Sequence, residues 1–137
     1  MKIVIIDGQG GGIGKALVTA AKQKLPQAEI IAVGTNSRAA EAMLKAGADH
    51  VAAGENAVVV CAKKADYIIG PIGIVIADSM YGEITAAMAS AIGSSSAQRI
   101  LIPVHHCDTT VVGVEDYAIS HLAEAAIRTI VSLASPH

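Results

Sequence analysis

Five times along this chain a short, nearly continuous apolar run gives way to a stretch in which apolar residues recur every three or four positions. The first run, KIVIID at 2–7, has the pattern of a strand covered on both faces. Between 13 and 25 the period changes: Ile13, Leu17, Ala20 or Ala21 and Leu25 recur at helical spacing, Lys15, Lys22 and Lys24 stay polar, and Pro26 follows the stop. EIIAVG (29–34) then reads as strand, 37–46 as helix ended by Gly47, and DHVAA (49–53) as a short strand. A helix over 55–65, with Lys63 and Lys64 suiting its C-terminal dipole, precedes the strand DYIIG (66–70). IGIVIADSM fits either a helix or an extended piece, 85–92 a helix, and RILIPV (99–104) the fifth strand. TTVVGV (109–114) is a candidate sixth strand, and 115–133 reads as a long final helix through Ile119, Leu122, Ala126 and Ile130.

Strands that alternate with crossover helices build a parallel sheet with right-handed connections and helices on both faces. The expected class is therefore α/β: one Rossmann-like, doubly wound, three-layer sandwich with a mainly parallel sheet in the order 3-2-1-4-5. At 137 residues and 53% hydrophobic content, one core is expected, so the whole span 1–137 is read as a single Rossmann-like nucleotide-binding domain.

Between the first strand and the first helix the chain reads GQGGGIG, five glycines in seven residues. Glycine admits close approach to the backbone, and a helix start offers unsatisfied N–H groups and a positive dipole end to an anion. In a doubly wound sheet this loop lies at the carboxyl ends of the strands, beside the switch point where ligands bind. The loop is thus built like a phosphate cradle, with Gly8, Gln9, Gly10, Gly11, Gly12, Ile13 and Gly14 as candidate contacts. The strict dinucleotide fingerprint fails at Ile13, and the Walker pattern fails at Gln9 and Ala16, which disfavours an ATPase. Gly8, Gly12 and Gly14 resemble the G-x-x-x-G-I-G loop of short-chain dehydrogenases, a likeness that implies NAD or NADP. Asp7 stands where those enzymes commonly carry Thr, and no Tyr-x-x-x-Lys pair exists, so their hydride mechanism is not implied.

The other strand ends carry further candidates. After the second strand, GTNSR has no carboxylate for a ribose diol; Thr35, Asn36 and Arg38 offer hydroxyl, amide and guanidinium to a 2′-phosphate, which favours NADP over NAD. Thr35 or Ser37 as a helix cap, with Arg38 solvated, is the competing reading. Asn56 follows the third strand and Pro71 ends the fourth. Glu83, near a helix start, reads as a residue opposing the dipole, with a general base as the alternative. His105, His106 and Cys107 follow the fifth strand without the further ligands a metal needs, so no metal is predicted. No catalytic residue is assigned.

Lys and Arg number 10 against 12 Asp and Glu, and three Tyr are the only aromatics, so nucleic acid is not an expected partner. Two isolated cysteines and the absence of a cleavable apolar leader point to the cytoplasm, and no apolar run is long enough to cross a membrane. With only 16% charged residues, a homo-oligomer is expected.

DGQGGGIGK, GTN, GENA, GPIGIVIADSMYGEIT and ILIPV together resemble a family of small bacterial proteins known as a domain of unknown function, a likeness that spans nearly the whole chain. It implies a Rossmann-like fold and no established activity. The expected function is binding of a phosphate-containing ligand, foremost a dinucleotide. The alternatives are a small-metabolite enzyme that uses the loop for a substrate anion, and a nucleotide-sensing oligomer without catalysis.

Overall fold

A computed structural model describes residues 1–104 and 108–135. Successive residues of a strand point to opposite faces, and the first strand, β1 (Lys2–Asp7), uses this to divide the molecule. Ile3 and Ile5 enter one core, Val4 and Ile6 the other, and all four are fully buried. β2 (Glu29–Gly34), β3 (His50–Ala53), β4 (Tyr67–Pro71) and β5 (Gln98–Ile102) complete an all-parallel sheet in the order β3-β2-β1-β4-β5. Lys2 through Asp7 pair with Glu29 through Gly34, and Ile3 through Ile5 with Tyr67 through Ile69. This is the doubly wound, Rossmann-like arrangement expected from the alternation of strand and helix.

On one face lie α1 (Gly12–Lys24), α2 (Ser37–Lys45) and α5 (Ile119–Ala134), packed through Leu17, Val18, Ala21, Met43, Ala126, Ile127 and Ile130. The opposite face is covered by α3 (Glu55–Lys64) and α4 (Ala86–Gly93) through Val58, Ala62, Met88 and Ile92. Burial of the Leu, Val, Ile and Met side chains among these stabilises by about 1.5–3 kcal/mol each. Small residues let the layers close: a Cβ on Gly70 would run into the Ile6 carbonyl oxygen of the neighbouring strand.

Three expectations need correction. The ambiguous stretch after β4 is a short 3-10 turn, Ile72–Val75, followed by turns to Ile84. No sixth strand forms over 109–114 among the described residues: Gly113 turns the chain at φ 84° and Val112 is 92% exposed, so the β-branched residues there lack a face to bury. The last helix begins at Ile119 rather than 115, because Ala118 is extended and 115–118 bury nothing. The candidate metal or thiol residues His105, His106 and Cys107 lie outside the described residues.

Candidate functional site

The glycine loop and the ends of β1, β2 and β4 meet at the carboxyl edge of the sheet, where the strand order reverses. Asp7, the last residue of β1, is 4% exposed and is the one buried charged side chain among the described residues. Its Oδ1 accepts the Gly8 N–H at 2.8 Å and its Oδ2 the Gly14 N–H at 2.7 Å. α1 begins at Gly12 after Gly11, which no side chain caps. The Asp7 carboxyl therefore does the work of a cap from outside the helix and takes up amides that a phosphate would otherwise use. Burial pushes this carboxyl above the ordinary aspartate value, and the nearby Glu83 charge adds to the rise, while the Gly14 and Gly8 amides oppose it.

The glycines of the loop divide into two kinds. A Cβ on Gly8 would lie 2.7 Å from both the Met80 Sδ and the Thr35 Oγ1, and one on Gly14 would lie 2.5 Å from the Met43 Sδ. Gly11 adopts φ 76° with the Ala39 backbone 2.9 Å from its would-be Cβ. These three are explained by packing and backbone geometry. Gly10 and Gly12 are not, because a Cβ on either would meet nothing within 4 Å. Their N–H groups make no hydrogen bond to a described residue. Beside Gly12, a groove of about 230 Å³ runs between α1 and α5, with Lys15, Ala16, Ala20, Ser120 and Glu124 on its walls.

A second carboxylate arrives from the far side of β1. The segment between the 3-10 turn and α4 crosses from β4 toward β2, held by the Asp78 N–H to the Ile84 carbonyl at 2.7 Å and the Ile84 N–H to the Ser79 carbonyl at 3.2 Å. It places Asp78, Met80 and Tyr81 at φ 67°, 57° and 56°, left-handed conformations that non-glycine residues adopt only where surrounding structure imposes them. Glu83 follows, and its Oε1 accepts three hydrogen bonds: from the Thr35 hydroxyl at 2.6 Å, the Gln9 N–H at 2.8 Å and the Asn36 Nδ2 at 2.8 Å. Partial burial alone would raise this carboxyl, but the three donors outweigh it and hold it below the ordinary glutamate value.

The residues singled out in the sequence distribute as follows. Gly8, Gln9, Thr35 and Asn36 are brought together around Glu83. Asn36 also caps α2, its Oδ1 accepting the Ala39 N–H at 2.8 Å while its Nδ2 reaches the Gln9 carbonyl at 3.1 Å. The cap is thus Asn36, not Thr35 or Ser37. Gly10, Gly11, Gly12, Ile13 and Gly14 form the rim and the start of α1. Arg38 is exposed on the first turn of α2, Asn56 is exposed on the first turn of α3, and Pro71 is buried at the end of β4. Glu83 does not oppose the α4 dipole as expected, since Thr85 caps that helix by accepting the Met88 N–H at 3.2 Å. Asp7 is the site residue that sequence reasoning passed over, and Glu83, weighed there as a dipole partner or a general base, was not placed beside the glycine loop. For Asp7 the signal was available, in the departure from Thr immediately before the glycines.

Among the described residues no group of three or more His, Cys, Asp or Glu side chains could hold a metal. Cys61 is a free thiol whose ionisation burial pushes up, so it stays protonated at neutral pH. No helix among the described residues is long and apolar enough to cross a membrane.

Sheet order, glycine loop and carboxyl-edge cluster define the class: a small α/β protein of the Rossmann-like, doubly wound kind. The chain belongs to the domain of unknown function family DUF3842, whose model matches residues 2–135. No curated protein matches the chain.

Proposed function

We propose that this protein binds a phosphate-containing small molecule, foremost a dinucleotide such as NADP or NAD, with the phosphates against the rim formed by Gly10 and Gly12. The observation that carries the reading is the pair of glycines whose bare Cα atoms serve no packing purpose. Their free N–H groups stand at the positive end of the α1 dipole, the arrangement that receives anions in nucleotide-binding α/β proteins. Lys15, one turn along α1 and on the wall of the same groove, supplies a cation within reach of that rim. Asp7 narrows the cradle, since it spends the Gly8 and Gly14 amides on the protein itself. The phosphate contact is accordingly the outer edge of the loop, with Pro71 and the end of β4 on the far side of the switch point.

Thermal stability of the purified protein in the presence of NAD, NADP, AMP, ATP and inorganic phosphate tests this. A ligand at 100 times its dissociation constant adds about 2.7 kcal/mol of stability. A rise with nucleotides that disappears in Gly12→Val is the expected result. No rise with any of them, or an equal rise in Gly12→Val, overturns the reading.

A second copy of the chain is proposed as partner, in the cytoplasm. Val112, Val114, Tyr117 and Ile119 follow one another on the surface with exposures of 92%, 42%, 50% and 44%. Apolar side chains in such a row favour a covered surface. Light scattering at micromolar concentration checks it, and a monomer there refutes it.

A further inference from the structure

Resting on the nucleotide reading above, we infer that Glu83 determines specificity, its Oε2 accepting a hydrogen bond from the vicinal diol of an unphosphorylated ribose. Doubly wound nucleotide-binding proteins use an acidic side chain at the end of the second strand for this contact. Here that strand end is Gly34-Thr35-Asn36, which holds no acid, and the carboxylate comes instead from the turn before α4. It is fixed to the end of β2 through the Thr35 hydroxyl and the Asn36 amide, and to the glycine loop through the Gln9 N–H.

All three of those donors converge on Oε1. Oε2 accepts nothing from a described residue, and no Lys, Arg or His among them pairs with the carboxylate. One oxygen is therefore anchored and the other presented, a half-buried, oriented acceptor beside the proposed phosphate rim. Such an acceptor attracts hydroxyl donors and repels an anion.

The same contacts remove the basis for a 2′-phosphate subsite. Thr35 and Asn36, the polar groups that would receive that phosphate, already donate to Glu83. Arg38 alone remains, exposed on the first turn of α2, and the Glu83 carboxylate, bonded to the Asn36 that caps that helix, opposes a second negative charge at this strand end. Oriented acceptance thus selects NAD over NADP.

Binding of 5′-AMP, 2′-deoxy-5′-AMP and 2′,5′-ADP to the wild-type protein, followed by calorimetry, separates the alternatives without relying on a variant. 5′-AMP is expected to bind about tenfold or more tightly than either analogue, since a hydrogen bond to a charged acceptor is lost in one and replaced by repulsion in the other. Glu83→Gln, and Glu83→Asp with its shorter reach, are expected to narrow both gaps. Equal affinity for all three in the wild type, with binding still abolished by Gly12→Val, sinks the diol contact and leaves the nucleotide reading standing. Tighter binding of 2′,5′-ADP, or a gain in affinity for every probe in Glu83→Gln, also overturns it; the latter would mean that the carboxylate occupies the site rather than completing it. If the wild type binds none of the three and neither NAD nor NADP, the nucleotide reading falls and the diol contact with it; if NAD and NADP bind with equal affinity while none of the three does, the diol contact alone falls.

Discussion

The Glu83 Oε1 accepts the Thr35 hydroxyl at 2.6 Å across 48 residues of sequence, and this bond ties the turn after β4 to the end of β2 over the top of β1. Two carboxylates, Asp7 beneath and Glu83 above, thereby flank a loop whose glycines suggest an anion site.

Glu83→Gln is expected to lower stability at neutral pH by about 1–2 kcal/mol, because three hydrogen bonds to a charged acceptor become bonds to a neutral one. Glu83 has a folded-state value below the ordinary 4.5, so its contribution is present above 4.5 and is lost as pH falls through the lowered value. Urea unfolding of wild type and variant across the acid range should show their difference shrinking on acidification. A constant difference would contradict the role given to the charge.

Asp7 acts in the opposite sense. Its folded-state value lies above the ordinary 3.8, so between the two values the folded protein holds a proton that the unfolded chain has released, and stability falls as pH rises through that window. Asp7→Asn should abolish this slope. At neutral pH the same variant should be destabilised by about 1–3 kcal/mol, since one of the Gly8 and Gly14 N–H groups would face an amide donor. Unfolding curves at several pH values measure both effects.

Gly8→Ala should cost about 1–3 kcal/mol, the usual penalty for forcing an extra carbon into a filled space, here against Met80 and Thr35. Gly10→Ala and Gly12→Ala should be neutral or stabilising by about 0.4–1 kcal/mol, through the lower entropy of the unfolded chain. Thermal melts of the three variants suffice. A large loss at Gly10 or Gly12 would give those glycines a structural purpose and weaken the case for a ligand.

Tyr81→Gly should raise stability by up to about 1 kcal/mol. The side chain is 91% exposed, and its backbone, at φ 56°, pays for a left-handed conformation that glycine adopts freely. A fall in the melting temperature would mean that the tyrosine ring contributes a contact that outweighs this strain.

How much of this could be read from the chain itself differs between fold and site. Continuous apolar runs such as KIVIID and EIIAVG, set against the helical spacing of Leu17, Ala21 and Leu25, were enough for sheet order and layers, because burial on two faces or on one stripe dictates those patterns. TTVVGV misled because β-branched composition carries no information about whether a face exists to bury it. The glycine loop was legible as a loop at the strand edge, but the division of its glycines into packed and unpacked depends on Met43, Met80 and Ala39, which come from other elements. Glu83 was the hardest: beside a helix start it reads as a local residue, and only the three-dimensional path of the turn carries it to Thr35.

That path has a kinetic consequence. The groups that converge on Glu83 come from positions 9, 35 and 36, so the cluster can close only after β1, β2 and β4 stand side by side. Exposed hydrogen bonds at a loop such as that of Gln9 belong to the less protected end of a fold's stability range, and the buried centre of a sheet to the most protected. Amide hydrogen exchange should therefore be faster at the Gln9 N–H than in the centre of β1, and a molecule bound at this edge would fasten the part of the protein that the sheet alone leaves least secure.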